Sequence, residues 1–259
     1  LLTAINTRLQ RQSQIALHSE QKIENVKRQL TRMVTHELRT PLISINTVVD
    51  IISRQLGQLS SSELEEMLDS ISAGSKRLSH RVEQLVFITQ LEAQMLTHEI
   101  IVREGMPMRM WEMLIAANNL ARRFAYQQQP NVTVQLVDHE RESVVMCNPP
   151  SLKQALAELI ANALTFSPEN GVVGIEQWRS GGSVFIRIVD QGPGIPEERL
   201  AEALRAFSQL DRESHEQQGM GMGLALAQRI IEVHGGTLDI LSIVDKGTQL
   251  TISLPIITS

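Results

Sequence analysis

Aromatic residues make up only 3% of the 259 positions, and the chain has a single cysteine, Cys147. So few aromatic rings oblige the cores to be built from Leu, Ile, Val and Met. One cysteine excludes an intramolecular disulfide and a cysteine-based zinc cluster, and it fits a reducing compartment. Positive charge is not in excess either: 24 Lys and Arg stand against 29 Asp and Glu, a formal net charge of −5. That argues against nucleic-acid binding as the main business, because neutralising phosphates needs a basic face. No apolar run reaches the roughly 18 to 20 residues that span a bilayer, and no signal-peptide pattern opens the chain. There is no internal repeat and no low-complexity tract. What remains is a globular composition, 42% hydrophobic and 20% charged, with length for about two domains.

The two halves differ in texture. Leu2, Ile5 and Leu9, and later Ile23, Val26, Leu30 and Met33, alternate spacings of three and four. This is the heptad stripe of a parallel coiled coil. The chain opens already inside that stripe, so it is expected to be part of something longer, with a membrane-bound parent left open. After Pro41 the best stripe is Leu42, Ile45, Val49, Ile52, Leu56 and Leu59, out of phase with the first by two heptad positions. Extra apolar residues at Ile43, Val48 and Ile51 widen it into the face of a bundle helix. The segment from Gly57 to Ser62 breaks the pattern, and "SSSELEE" offers serine caps with glutamates three residues on. A second helix follows, striped by Leu64, Leu68, Ile71, Ser75, Leu78, Val82 and Leu85. Two amphipathic helices joined by a short link form an antiparallel hairpin, and two hairpins from two chains would bury both faces in a four-helix bundle. A homodimer is expected.

From about residue 98 the pattern is mixed α/β. "EIIVRE" reads as a strand, 107–126 as a helix, and "NVTVQLV" and "SVVMC" as strands. A helix over 150–164 follows, then strands near 171–178 and 183–190, a helix over 223–234, and strands in 236–244 and 247–254. The closing strand pairs favour an α+β sandwich with much antiparallel sheet.

Four stretches carry chemistry. "THELRTPL" (35–42) sets a histidine beside a glutamate, with Thr40 one turn on. In "ELIANALTFSP" (158–168), Glu158 and Asn162 share a helix face and could offer two oxygens to a hydrated divalent cation. "DQGPGIP" (190–196) ends a strand with Asp190, which could accept a bond from an exocyclic amine such as adenine's. "GMGMGLALAQRIIEVHGG" (219–236) runs glycines into a helix, the arrangement that aims backbone N–H groups at phosphates. It fits neither GxGxxG nor the Walker A pattern.

In this order the residues resemble the histidine kinases of two-component signalling. "HELRTPL" is similar to the H box, "ELIANALTFS" to the N box and "DQGPGI" to the G1 box. "AFSQLDR" resembles a reduced F box, "GMGMGLAL" the G2 box and "GTQLTISLP" the closing strand pair. The resemblance covers roughly 25–257. It implies a coiled-coil signalling helix over 1–24 from an upstream sensor module, a dimerisation and phosphotransfer domain over 25–95, and an ATP-binding domain over 98–259.

Carried residue by residue, the resemblance makes His36 the phosphoacceptor, Glu37 its polarising partner and Thr40 the positioner of a water in dephosphorylation. Asn162 and Glu158 would hold Mg²⁺. Asp190 would bind the adenine amine, with Phe166 near the base. Gly192, Gly194 and Ile195 would shape the pocket, Gly219, Gly221, Gly223 and Leu224 would surround the phosphates, and Thr248 would sit at the adenine end. Thr165, Leu204 and Asn148 depart from the family pattern, where lysine, an aromatic and aspartate are common. The implied activity is ATP-dependent autophosphorylation followed by transfer to an aspartate of a response regulator. The alternatives are a phosphatase of that regulator and a nucleotide-binding dimeric scaffold. The implied setting is the cytoplasm, without nucleic acid and without direct membrane contact by this segment.

Overall fold

The computed structural model describes residues 38–39, 41–125, 131–140, 142–200 and 222–257. The expected coiled coil over 1–24 lies outside them. They form two compact units, one reaching to Gly74 and the other beginning at Ser75.

In the first unit, helix α1 runs over 41–55 and a turn occupies 56–58 before helix α2, Ser61–Glu92. The expected capping box closes the start of α2. The backbone N–H of Ser60 donates to the Glu63 carboxylate at 2.8 Å, and the Glu63 N–H donates back to Ser60 Oγ at 3.3 Å. Two otherwise orphaned donors are thereby satisfied. Pro41 and Ala73 are buried, whereas Leu42, Ile43, Val49, Leu56 and Leu68 are exposed.

The second unit takes in the rest of α2, where the buried residues are Gln84, Ile88 and Leu91. The segment 98–104 is a helix (α3, His98–Glu104) rather than a strand. The Thr97 hydroxyl caps it by accepting from the Ile100 N–H at 3.3 Å, and the Gly105 N–H closes it on the Ile101 carbonyl. A local cap outweighs the strand preference of Ile-Ile-Val here. The helix expected from 107 begins later. Met106–Arg109 is strand β1, and helix α4 is Met110–Ala125.

Strands β2 (Thr133–Asp138) and β3 (Val144–Cys147) precede helix α5 (Pro149–Phe166). Then follow β4 (Val172–Ser180), β5 (Ser183–Val189), helix α6 (Met222–Val233), β6 (Thr237–Ile243) and β7 (Gly247–Pro255). β1 pairs antiparallel with β3. The main sheet has the order β2-β4-β5-β7-β6, with β2 parallel to β4 and the other neighbours antiparallel.

Alternation along the strands sends Val173, Ile175, Val184, Ile186, Ile188, Ile252 and Leu254 inward. α5 packs between α4 and α6 and is buried through most of Ser151–Leu164, where four alanines permit close approach. The few aromatics go elsewhere. Trp178 faces Phe185 across the β4–β5 ladder, stacked at 5.5 Å, and Arg187 lies 4.8 Å over the indole. The architecture is the expected one, helical hairpin elements followed by an α+β layered domain.

Candidate active site

Two buried carboxylates anchor the second unit's candidate site. Glu158 lies on α5, which starts well because the Asn148 side chain accepts from the Ser151 N–H at 3.1 Å and Pro149 follows as the first helical residue. The family departure at Asn148 therefore serves as a helix cap. Glu158 is 3% exposed. Its Oε1 accepts from Gln154 Nε2 at 2.7 Å and lies 3.3 Å from His80 Nε2, while Oε2 accepts from Gln84 Nε2 at 2.9 Å. Asn162 is one turn further on and half-buried, and Phe166 ends the helix exposed.

Asp190 follows β5 and is also buried. Its Oδ1 accepts two backbone N–H bonds, from Gly192 at 2.9 Å and Thr248 at 3.0 Å. Burial pushes the carboxyl above the ordinary aspartate range, against the opposing pull of those two bonds. Both bonds fall on one oxygen, so the other is the one an approaching amine would meet.

Gly194 has φ +70, and a Cβ there would run into the Ile243 carbonyl, so the turn requires glycine. The next N–H, of Ile195, donates to Ser242 Oγ at 2.8 Å, and Ser242 Oγ lies 2.9 Å from Thr248 Oγ1. Asp190, Gly192, Gly194, Ile195 and Thr248 are thus joined through the G1 turn and the β6–β7 end of the sheet.

Gly223 stands in the first turn of α6, where a Cβ would come within 2.7 Å of Glu158 Oε2. Glycine is what lets the N-terminus of α6 close onto α5. Leu224 follows it, partly buried. His36, Glu37, Thr40, Leu204, Gly219, Gly221 and the F-box stretch lie outside the described residues.

Sequence reasoning passed over Gln84, His80, Gln154 and His234. His234 is buried. Its Nε2 accepts from the Asn148 N–H at 3.1 Å, so its Nδ1 carries the hydrogen donated to the Ile230 carbonyl at 2.6 Å. It ties the cap of α5 to the end of α6. The one available signal was polar residues recurring on an otherwise apolar helix face.

Among the described residues no cluster of three or more His, Cys, Asp or Glu could hold a metal ion. A dedicated protein cage is absent there. The half-buried Asn162 amide fits the sparse protein coordination that Mg²⁺ takes beside phosphates. Glu158 shares its helix face, but both its oxygens are engaged.

Residues 26–94 match the His Kinase A (phospho-acceptor) domain model, and 147–258 match the histidine kinase-, DNA gyrase B- and HSP90-like ATPase model. The chain belongs to the histidine kinase family, with the phosphoacceptor domain first and the ATPase domain after it. It is similar to the circadian input-output histidine kinase CikA of Synechococcus elongatus, at 28% identity over 93% of this chain and 31% of CikA. It is also similar to the adaptive-response sensory kinase SasA of Prochlorococcus marinus strain MIT 9303, at 30% identity over 90% of this chain and 60% of SasA. The chain therefore spans between about a third and three fifths of these relatives. Among solved structures, the Acinetobacter baumannii histidine kinase AdeS matches with a TM-score of 0.58 and 22% identity, over 86% of this chain and 98% of that one. Full-length ShkA in complex with AMPPNP matches with a TM-score of 0.59 and 22% identity, over 90% and 46%. These two show the fold.

Proposed function

We propose that this chain is the kinase portion of a cytoplasmic two-component sensor, autophosphorylating His36 from ATP and passing the phosphoryl group to a response-regulator aspartate. The observation that carries the reading is the buried Asp190, held on one oxygen by Gly192 and Thr248 at the end of β5, with the other oxygen left for the exocyclic amine of adenine. Phe166 would pack near the base, and Gly192, Gly194, Ile195 and Thr248 would shape that end of the pocket. Gly219, Gly221, Gly223 and Leu224 would bring N–H groups and the α6 N-terminus to the phosphates. Asn162, with Glu158, would hold Mg²⁺, which supplies charge neutralisation for phosphoryl transfer.

At neutral pH an ordinary imidazole is mostly uncharged, so His36 would offer a lone pair as nucleophile. Glu37 would accept the other ring N–H, selecting the tautomer and stabilising the imidazolium as it forms. Thr40, one turn on, would orient a water that hydrolyses the aspartyl phosphate of the response regulator, releasing inorganic phosphate.

The exposed Leu42, Ile43, Val49 and Leu56 support homodimerisation through the hairpin. Among the described residues no helix is long and apolar enough to cross a membrane. An upstream sensor module completes the proposed protein.

Transfer tests the reading. Chain labelled from γ-labelled ATP is mixed with the receiver domains of the source organism. Rapid movement of label onto one or a few receivers is expected; label that leaves the chain for none of them would contradict the assignment.

A further inference from the structure

Glu158 accepts donors from two sources. Gln154, one turn earlier on its own helix, and Gln84, from α2, each donate to it, and His80 Nε2, also from α2, lies 3.3 Å from Oε1. Gln84 is 2% exposed, and its amide also lies 3.1 Å from His80 Nε2, so the two α2 side chains meet the carboxylate as one polar group. Ile88 and Leu91, fully or almost fully buried, seat this part of α2 within the second unit. On the far side Gly223 presses the first turn of α6 against Oε2. A cation approaching Glu158 must therefore displace a donor. Gln154 shares the helix of Glu158 and stays beside it, whereas Gln84 and His80 come from a separate element, α2.

We propose that Gln84 and His80 form a removable cap on Glu158, so that α2 and the metal–nucleotide compete for the same carboxylate. This rests on the nucleotide reading of α5 given above. α2 is one continuous helix that starts at Ser61, in the first unit. A shift or rotation of it would carry both side chains off Glu158 together. Gln84 and His80 are positioning residues that act through Glu158 and touch no substrate.

Equilibrium titration of the full chain with trinitrophenyl-ATP and Mg²⁺ tests this. Gln84→Asn, one methylene too short to reach, and His80→Ala are each expected to raise affinity about three- to tenfold. Gln84→Glu, which sets a second carboxylate against Glu158, should raise it further. Unchanged or weaker affinity in these variants, while the wild-type chain binds, overturns the cap. So does a lowered melting temperature with unaltered affinity, which would leave a packing contact and nothing more. A wild-type chain that binds no nucleotide at all overturns the site and the cap together.

Discussion

Asp190 and His234 are both buried and titratable, and their environments push them in opposite directions. Burial raises Asp190, so protonation begins at a higher pH than for an ordinary aspartate, and a protonated carboxyl no longer accepts from an amine at that oxygen. Nucleotide affinity is expected to weaken on acidification toward that raised value. Asp190→Asn should lose about ten- to hundredfold in affinity at neutral pH and abolish the acid dependence, as measured by calorimetry. His234 is held below the ordinary histidine value by burial, against the raising effect of the bond it donates to the Ile230 carbonyl. Its neutral form is the folded form. The stability it contributes is fully present above about pH 6.5 and is lost as pH falls below that toward the depressed folded value. Denaturant melts from pH 7.5 to 5.5 should show this slope, and His234→Gln should flatten it. Asp190 was legible because it stands in a short string with the G1 glycines. His234 was not: its partners are a carbonyl on its own helix and an N–H 86 residues away.

Elements read from local chemistry came out well where the deciding chemistry was local. Ser60 and Glu63 announce the start of α2 from three residues apart, and they make both bonds of the box. Strands β4 and β5 alternate cleanly, and their hairpin forms as read. The misreadings have physical reasons. Residues 107–109 fall inside the helix expected over 107–126, yet β3, some 40 residues on, claims them as a strand partner. The Ile-Ile-Val run at 100–102 looks like a strand until Thr97 caps it as a seven-residue helix. Gln84 reads as an ordinary surface glutamine, and only the fold brings it to Glu158, 74 positions away. One element-scale expectation concerns Pro41, where the heptad phase changes and where proline has no N–H to give to the helical ladder. Pro41→Ala is expected to alter autophosphorylation and its response to an upstream module. An unaltered rate and response would count against a bend that presents His36.

The molecule as a whole joins two kinds of surface. The hairpin leaves Leu42, Ile43, Val49, Leu56 and Leu68 exposed, a set that one chain does not bury. Val49→Glu is expected to shift the chain from about twice its 29.0 kDa mass toward the monomer in sedimentation equilibrium, with the α+β unit still folded. The second unit buries a core of Leu, Ile, Val and Ala around α5. In the proposed function these parts together put a phosphoryl group on one histidine. This is tested most directly by incubating the full chain with γ-labelled ATP and Mg²⁺, then measuring chain-bound label after acid and after base. The expected result is label that acid removes, base spares and His36→Gln abolishes. Label absent under every Mg²⁺–ATP condition, or undiminished in His36→Gln, would contradict it.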